Sequence, residues 1–176
     1  MKSDIDQNLM PLSIRKLDLE NDFPLLYEWL RNEYISQDNP AEFNYESLLE
    51  SYQLNEDSSF AESCMVWLDE VIPVMEVDIS KGDMHEISSF YAAKPHDYVL
   101  RLQLPPQPDT QLIKSGLQLI IQYCFTVKKA KKLVVPVYVR DVVQKSLLGD
   151  SGFTCNSTNL YKDAYSLYVL DKYSRK

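Results

Sequence analysis

Hydrophobic and polar positions change period several times along the chain. Residues 12–17, "LSIRKL", alternate and read as a strand. Residues 19–34, "LENDFPLLYEWLRNEY", put Phe23, Leu26 and Leu30 on one helical face with Trp29 beside them. Asn21 or Asp22 would cap that helix and Pro24 suits its first turn. A second helix is expected over 42–57, with Tyr45, Leu48, Leu49 and Tyr52 as its apolar stripe and an acidic outer face. Residues 60–68 and 71–79 are strand-like runs joined by Asp69 and Glu70, a hairpin without the usual glycine. In the second run Met75, Val77 and Ile79 share one face, and Glu76 and Asp78 share the other. Residues 80–96 are polar and loop-like, and 97–104, "DYVLRLQL", alternate as a strand.

A proline-rich turn leads into a helix over 110–126 with a wide apolar face from Ile113 to Phe125. The run 132–139, "KLVVPVYV", is nearly continuously apolar, as in a strand covered on both faces. Pro136 removes a ladder donor from it, so one side of the strand should be locally unpaired. A short helix follows at 141–153, with Gly152 suited to a left-handed stop, and 154–172 should form a closing hairpin. The order is strand, two helices, three strands, helix, strand, helix, two strands. That is an α/β layout with a mixed sheet and about four helices.

Composition narrows the chemistry. The 176 residues suffice for one ordinary domain, and 18 basic against 26 acidic residues give a formal charge of −8. This balance argues against a nucleic-acid surface, and the single basic run, "KKAKK" at 128–132, reads as the cationic end of the preceding helix. Cys64, Cys124 and Cys155 are scattered and odd in number, so neither zinc nor a disulfide framework is expected. Reduced thiols, no signal-like segment and no membrane-length apolar run point to a cytoplasmic chain. Residues 1–11 are polar and expected to be loose, ahead of a single domain over 12–176.

The strings "LSIRKLDLENDFPLLYEWLRN" (12–32), "PVMEVD" (73–78) and "LVVPVYVRDVVQKSLLGDSGF" (133–153), in this order and spacing, resemble the GNAT acetyltransferases. Within them the pattern looks like the siderophore and aminoglycoside acetyltransferase branch, over about residues 12–171. The resemblance implies a sheet in which two parallel neighbours splay apart, here 97–104 and 132–139. It implies acetyl-CoA in the gap, its pyrophosphate on the amides of the next helix N-terminus, and transfer to a small-molecule amine. Leu102 and Leu104 would present backbone to the pantetheine arm, and Thr110, Gln111, Leu112, Ile113 and Asp141 would meet the rest of the cofactor.

The chain departs from that family at several places. The family loop, Gln/Arg-x-x-Gly-x-Gly/Ala, places its small positions on Gln111 and Ile113 and its leading cation on Pro108. Both side chains would crowd a phosphate nest, and Pro105, Pro106 and Pro108 cannot donate. Arg101 stands where a His is usual, Asp141 where an Asn is, and Leu148 near the usual thiolate-protonating Tyr. Glu76 is the candidate base, and the alternative is a cross-strand ion pair with Arg101 on a solvated face. Of His85 and His96, His96 is the better placed second base, just before the strand. Tyr91, Tyr98, Tyr161 and Tyr165 are candidates to line an acceptor site, and Cys155 lacks a neighbouring His to activate it. Two functions remain open, an acetyl-CoA-dependent N-acetyltransferase and a catalytically inactive binding domain of the same fold. A third reading is an unrelated α/β domain, and an exposed C-terminal strand edge would suit a homodimer.

Overall fold

A computed structural model describes residues 11–36, 43–160 and 164–174. Seven strands form one sheet, β1 (Leu12–Lys16), β2 (Ala61–Leu68), β3 (Ile72–Lys81), β4 (Asp97–Gln103), β5 (Lys132–Tyr138), β6 (Thr154–Asn159) and β7 (Tyr165–Asp171). Their order is β1-β2-β3-β4-β5-β7-β6, and β4–β5 is the parallel pair. Four helices flank the sheet, α1 (Phe23–Ser36), α2 (Tyr45–Asp57), α3 (Thr110–Thr126) and α4 (Val142–Asp150). The expected loose segment falls, for residues 1–10, outside the described residues.

Each face of the sheet is covered by a different pair of elements. α3 lays Ile113, Leu117, Ile120, Ile121 and Cys124 on Val77, Ile79, Leu100, Leu133 and Val135, all buried. On the opposite face, α1 and α2 bring Phe23, Leu26, Trp29, Leu30 and Tyr52 onto Met65. Asn44 caps α2 by accepting from Ser47 N at 3.0 Å. Before α1, the buried Asp22 carboxylate receives Arg15 through two bonds of 2.6 and 2.8 Å and Asp18 N at 2.9 Å, tying β1 to the helix start.

The glycine-free hairpin between β2 and β3 turns with Asp69 at φ 52° and Glu70 at φ 58°, a pair of left-handed residues matching the twist of the strands. Gly152, at φ 92°, stops the segment after α4 as its position suggested. The lysine run does not act as one unit. Lys128 pairs with Glu62 at 2.9 Å, Lys129 turns at φ 59°, Ala130 is buried and Lys132 opens β5.

Gly116 lets α3 approach the sheet closely. A Cβ there would lie 3.2 Å from Met75 Sδ and 3.3 Å from Val74 Cγ1. Gly116→Leu is expected to destabilise the chain by about 1–3 kcal/mol through overpacking. Urea unfolding measures this, and Gly116→Ala should sit much nearer neutral, because its helix-propensity gain offsets the squeeze.

Candidate active site

The parallel pair is joined only at its beginning. β4 and β5 are in register at Asp97–Lys132, Tyr98–Leu133 and Val99–Val134, and then separate. β5 remains paired to β7 along its full length, through Pro136 opposite Leu167. The loss of pairing is therefore confined to the β4 side and begins at Val135, one residue before Pro136. Between the diverging ends lies a cleft of about 290 Å³. Its walls include Arg101–Gln103 of β4, Pro136–Tyr138 of β5, and Asp141 and Gln144 at the start of α4. Glu33 of α1, Tyr165 of β7 and residues of 85–90 complete it.

Segment 80–96, expected as plain loop, contains two short 3₁₀ turns, Gly82–Met84 and Glu86–Ser89. They carry His85, Glu86, Ser89 and Phe90 to the cleft. His85 Nδ1 accepts from Ile87 N at 3.1 Å, and burial lowers its pKa. The ring is therefore neutral near pH 7 with its proton on Nε2, a donor rather than a base. His96, the histidine preferred from sequence, is exposed at the opposite end of β4. Its carbonyl accepts from Lys131 N at 2.9 Å where the two strands are still joined. The preference is corrected by strand direction, because parallel strands diverge at their C-terminal ends and His96 precedes the N-terminal one.

Glu76 and Asp78 lie on the face predicted. Glu76 is in register with Gln103, and Asp78 with Arg101, so both carboxyls stand one strand behind the cleft wall. Along this face Arg101 is exposed, Asp78 opposite it is half-buried, and burial deepens toward Glu76. Glu76 is 1% exposed beneath α2, and its Oε1 has no hydrogen-bond partner among the described residues. Burial, and then the charge of Asp78, raise its pKa well above the usual carboxylate range, although Arg101 and a hydrogen bond with Tyr52 act in the other direction. Ser63 donates to Asp78 from the next strand. The result is a carboxyl pair, half-buried at Asp78 and buried at Glu76, whose inner member retains its proton beyond the ordinary range.

The cofactor candidates fall into two groups. Leu102 and Asp141 border the cleft, and Leu102 O accepts from Gln144 Nε2 at 3.3 Å across the gap between the strands. Leu104 and Leu112 pack partly buried against the main core, while Thr110 and Gln111 are exposed on the first turn of α3. Ile113 is 3% exposed and points into the core, so it does not crowd the helix tip as its loop position suggested. The tip is instead closed by Asp109, whose carboxylate accepts from Leu112 N at 2.9 Å. Asp141 caps α4 in the same way, accepting from Gln144 N at 2.9 Å.

The two strands thus leave an open gap between them, and the α3 tip offers few free amides. Prolines 105, 106 and 108 supply no amides, and the carboxylate of Asp109 takes one of those the helix has.

Leu148 is fully buried, so it neither reaches the cleft nor gives a proton. Tyr138 and Tyr165 do line the cleft, stacked with ring centroids 4.7 Å apart, and offer phenols there. Tyr98 packs with the α3 core and Tyr91 with a small cluster around Ile87, while Tyr161 lies outside the described residues. Cys64 and Cys124 are buried, their thiols pushed up to about 12, and Cys155 is exposed. Among the described residues no acidic, His and Cys cluster could hold a metal, and no helix is long and apolar enough to cross a membrane.

No protein-family model matches the chain, and neither does any curated protein sequence. Solved structures do match. An uncharacterized protein from Bacillus halodurans superposes with a TM-score of 0.79 at 17% identity, over 92% of this chain and 84% of that one. A spermidine N-acetyltransferase chimera from Vibrio cholerae and hSSAT gives 0.72 at 14% identity, over 94% and 99%. An aminoglycoside acetyltransferase, AAC(6')-Ib in complex with coenzyme A, gives 0.72 at 15% identity, over 93% and 96%. With its seven-stranded mixed sheet, one parallel pair and four helices, the chain has the fold of the GNAT acetyltransferases.

Proposed function

We propose that this chain is an N-acetyltransferase that uses acetyl-CoA to acetylate a small-molecule amine. The observation that carries the reading is the separation of β4 from β5 after Val99 and Val134, which opens a cleft of about 290 Å³ one strand away from the Glu76–Asp78 carboxyl pair. The thioester supplies an activated acetyl carbon, to which the amine nitrogen bonds as the carbon–sulfur bond breaks and the thiolate leaves with a proton. The chain's own residues place and deprotonate the amine. Glu33 and Glu86 at the cleft wall favour a cationic acceptor. The Glu76–Asp78 pair, behind Gln103 and Arg101, accepts the ammonium proton through an intervening water. The raised proton affinity of Glu76 brings that carboxyl nearer the working range of such a base. His85 Nε2–H and Arg101 act as fixed positive or donor groups, and the Tyr138 phenol is the proton source for the thiolate.

A second reading, an inactive binding domain, is favoured by the closed α3 tip and by buried Leu148. Thiol release separates the two. The protein should liberate thiol from millimolar acetyl-CoA only when an amine from a panel of diamines, aminosugars and amino acids is present. No release from any thioester with any amine, together with no heat on titration of acetyl-CoA, would leave only the second reading.

A further inference from the structure

We infer that the chain takes its acyl donor by the pantetheine thioester arm alone and makes no use of the nucleotide diphosphate of coenzyme A. A nucleotide-free acyl-pantetheine thioester is then as good a donor as the acyl-CoA. The inference rests on the acyl-transfer reading for its activity and stands on separate ground for its binding.

The place where the fold would grip a pyrophosphate is built against one. Phosphate groups are held by free amides at a helix tip, by nearby cations, and by the absence of opposing charge. At α3, Leu112 N donates to the Asp109 carboxylate at 2.9 Å, and Ile113 N donates to the Asp109 carbonyl at 2.9 Å. The second of these is the first ordinary internal bond of the helix, so the Asp109 side chain takes one of the amides that the helix leaves free. The preceding turn, "LPPQPD", contributes three prolines and no glycine. Asp109 is exposed, so its negative charge meets any incoming phosphate at the tip itself.

The neighbouring cations are already engaged. Lys114, one turn into α3, pairs with Asp150 at 2.9 Å, and the Lys145 ammonium donates to the carbonyl of Val139. Arg140 is exposed on the turn before α4, but the next residue is Asp141, whose carboxylate caps that helix. The N-termini of α3 and α4 thus each carry an aspartate, on a chain of net charge −8. The cleft, by contrast, offers the separated edge of β4 and the proline-bearing edge of β5, which suit an uncharged, slender arm.

The test compares kcat/KM for acetyl-CoA and S-acetylpantetheine with the same amine, alongside calorimetric titration of 3′-phospho-ADP. The two donors are expected to agree within about threefold, and 3′-phospho-ADP should give no heat at millimolar concentration. A preference for acetyl-CoA of tenfold or more, or binding of 3′-phospho-ADP in the micromolar range, overturns the inference. Asp109→Asn keeps a cap while removing its charge, and Asp109→Gly removes both. Each should raise acetyl-CoA turnover relative to S-acetylpantetheine, the glycine variant more, with folding checked by thermal melts. If the ratio does not move in either variant, Asp109 is not what excludes the nucleotide and the argument fails. Absence of turnover with both donors would overturn the acyl-transfer reading, while the 3′-phospho-ADP titration still decides this one.

Discussion

Glu76→Gln should lower kcat/KM for amine acetylation by about a hundredfold to ten-thousandfold while leaving the chain folded. That range is what a positioned proton acceptor commonly contributes. Glutamine matches the carboxyl group in shape, and burial, with the charge of Asp78, raises the proton affinity of Glu76. Packing beneath α2 is therefore preserved, and only the capacity to exchange a proton is lost. A variant retaining more than about a third of the activity would remove Glu76 from the proton path, whatever its effect on stability.

The same substitution carries a stability signature with a definite sign. A carboxyl whose folded pKa is raised binds its proton more tightly in the folded chain than in the unfolded one. Both states are protonated below the unfolded value, about 4.3 for Glu, and the group then costs nothing. As pH rises from there through the folded pKa, the unfolded state gains the advantage of ionising first, and stability falls. Glutamine does not titrate. The melting temperature of Glu76→Gln relative to the wild type should therefore increase from pH 5 to pH 8. A constant difference across that range would show that Glu76 titrates normally.

Phe23→Ala should destabilise the chain by about 3–5 kcal/mol, the usual cost of emptying a buried aromatic site. The ring is fully buried and meets Tyr45 and Tyr52 edge-on, with centroids 5.1 and 5.6 Å away. It is thus the joint between α1, which carries Glu33 to the cleft, and α2, which covers Glu76. At roughly 2–4 °C per kcal/mol for a chain of this size, the melting temperature should fall by about 6–20 °C. A fall of less than about 3 °C would mean that the two helices close over the vacancy.

The sequence was most informative where period and punctuation agreed. The helix expected over 110–126 is α3, Thr110–Thr126, because a capping Asp and a continuous apolar face bound it on both sides. The face shared by Glu76 and Asp78 followed from alternation alone, whereas the pair of diverging strands followed from the family resemblance, with which Pro136 was consistent. What escaped was tertiary. The turns that bring His85 and Glu86 to the cleft have no periodicity, and which histidine reaches it depends on strand direction. Tyr138 was hidden within an apolar strand, and only the divergence of β4 exposes it to the cleft. Asp109 was legible as a capping residue three positions before Leu112, next to a loop marked chiefly by its missing glycines.

Gln144 adds a last consequence. Its side-chain amide already occupies the Leu102 carbonyl across the opening, like a strut between two diverging beams. A donor amide arriving at that carbonyl must evict the strut, so association swaps one polar contact for another of similar worth instead of adding one. Grip on the donor then comes from fit along the wedge, and thioesters of different polarity but equal girth should be tolerated alike.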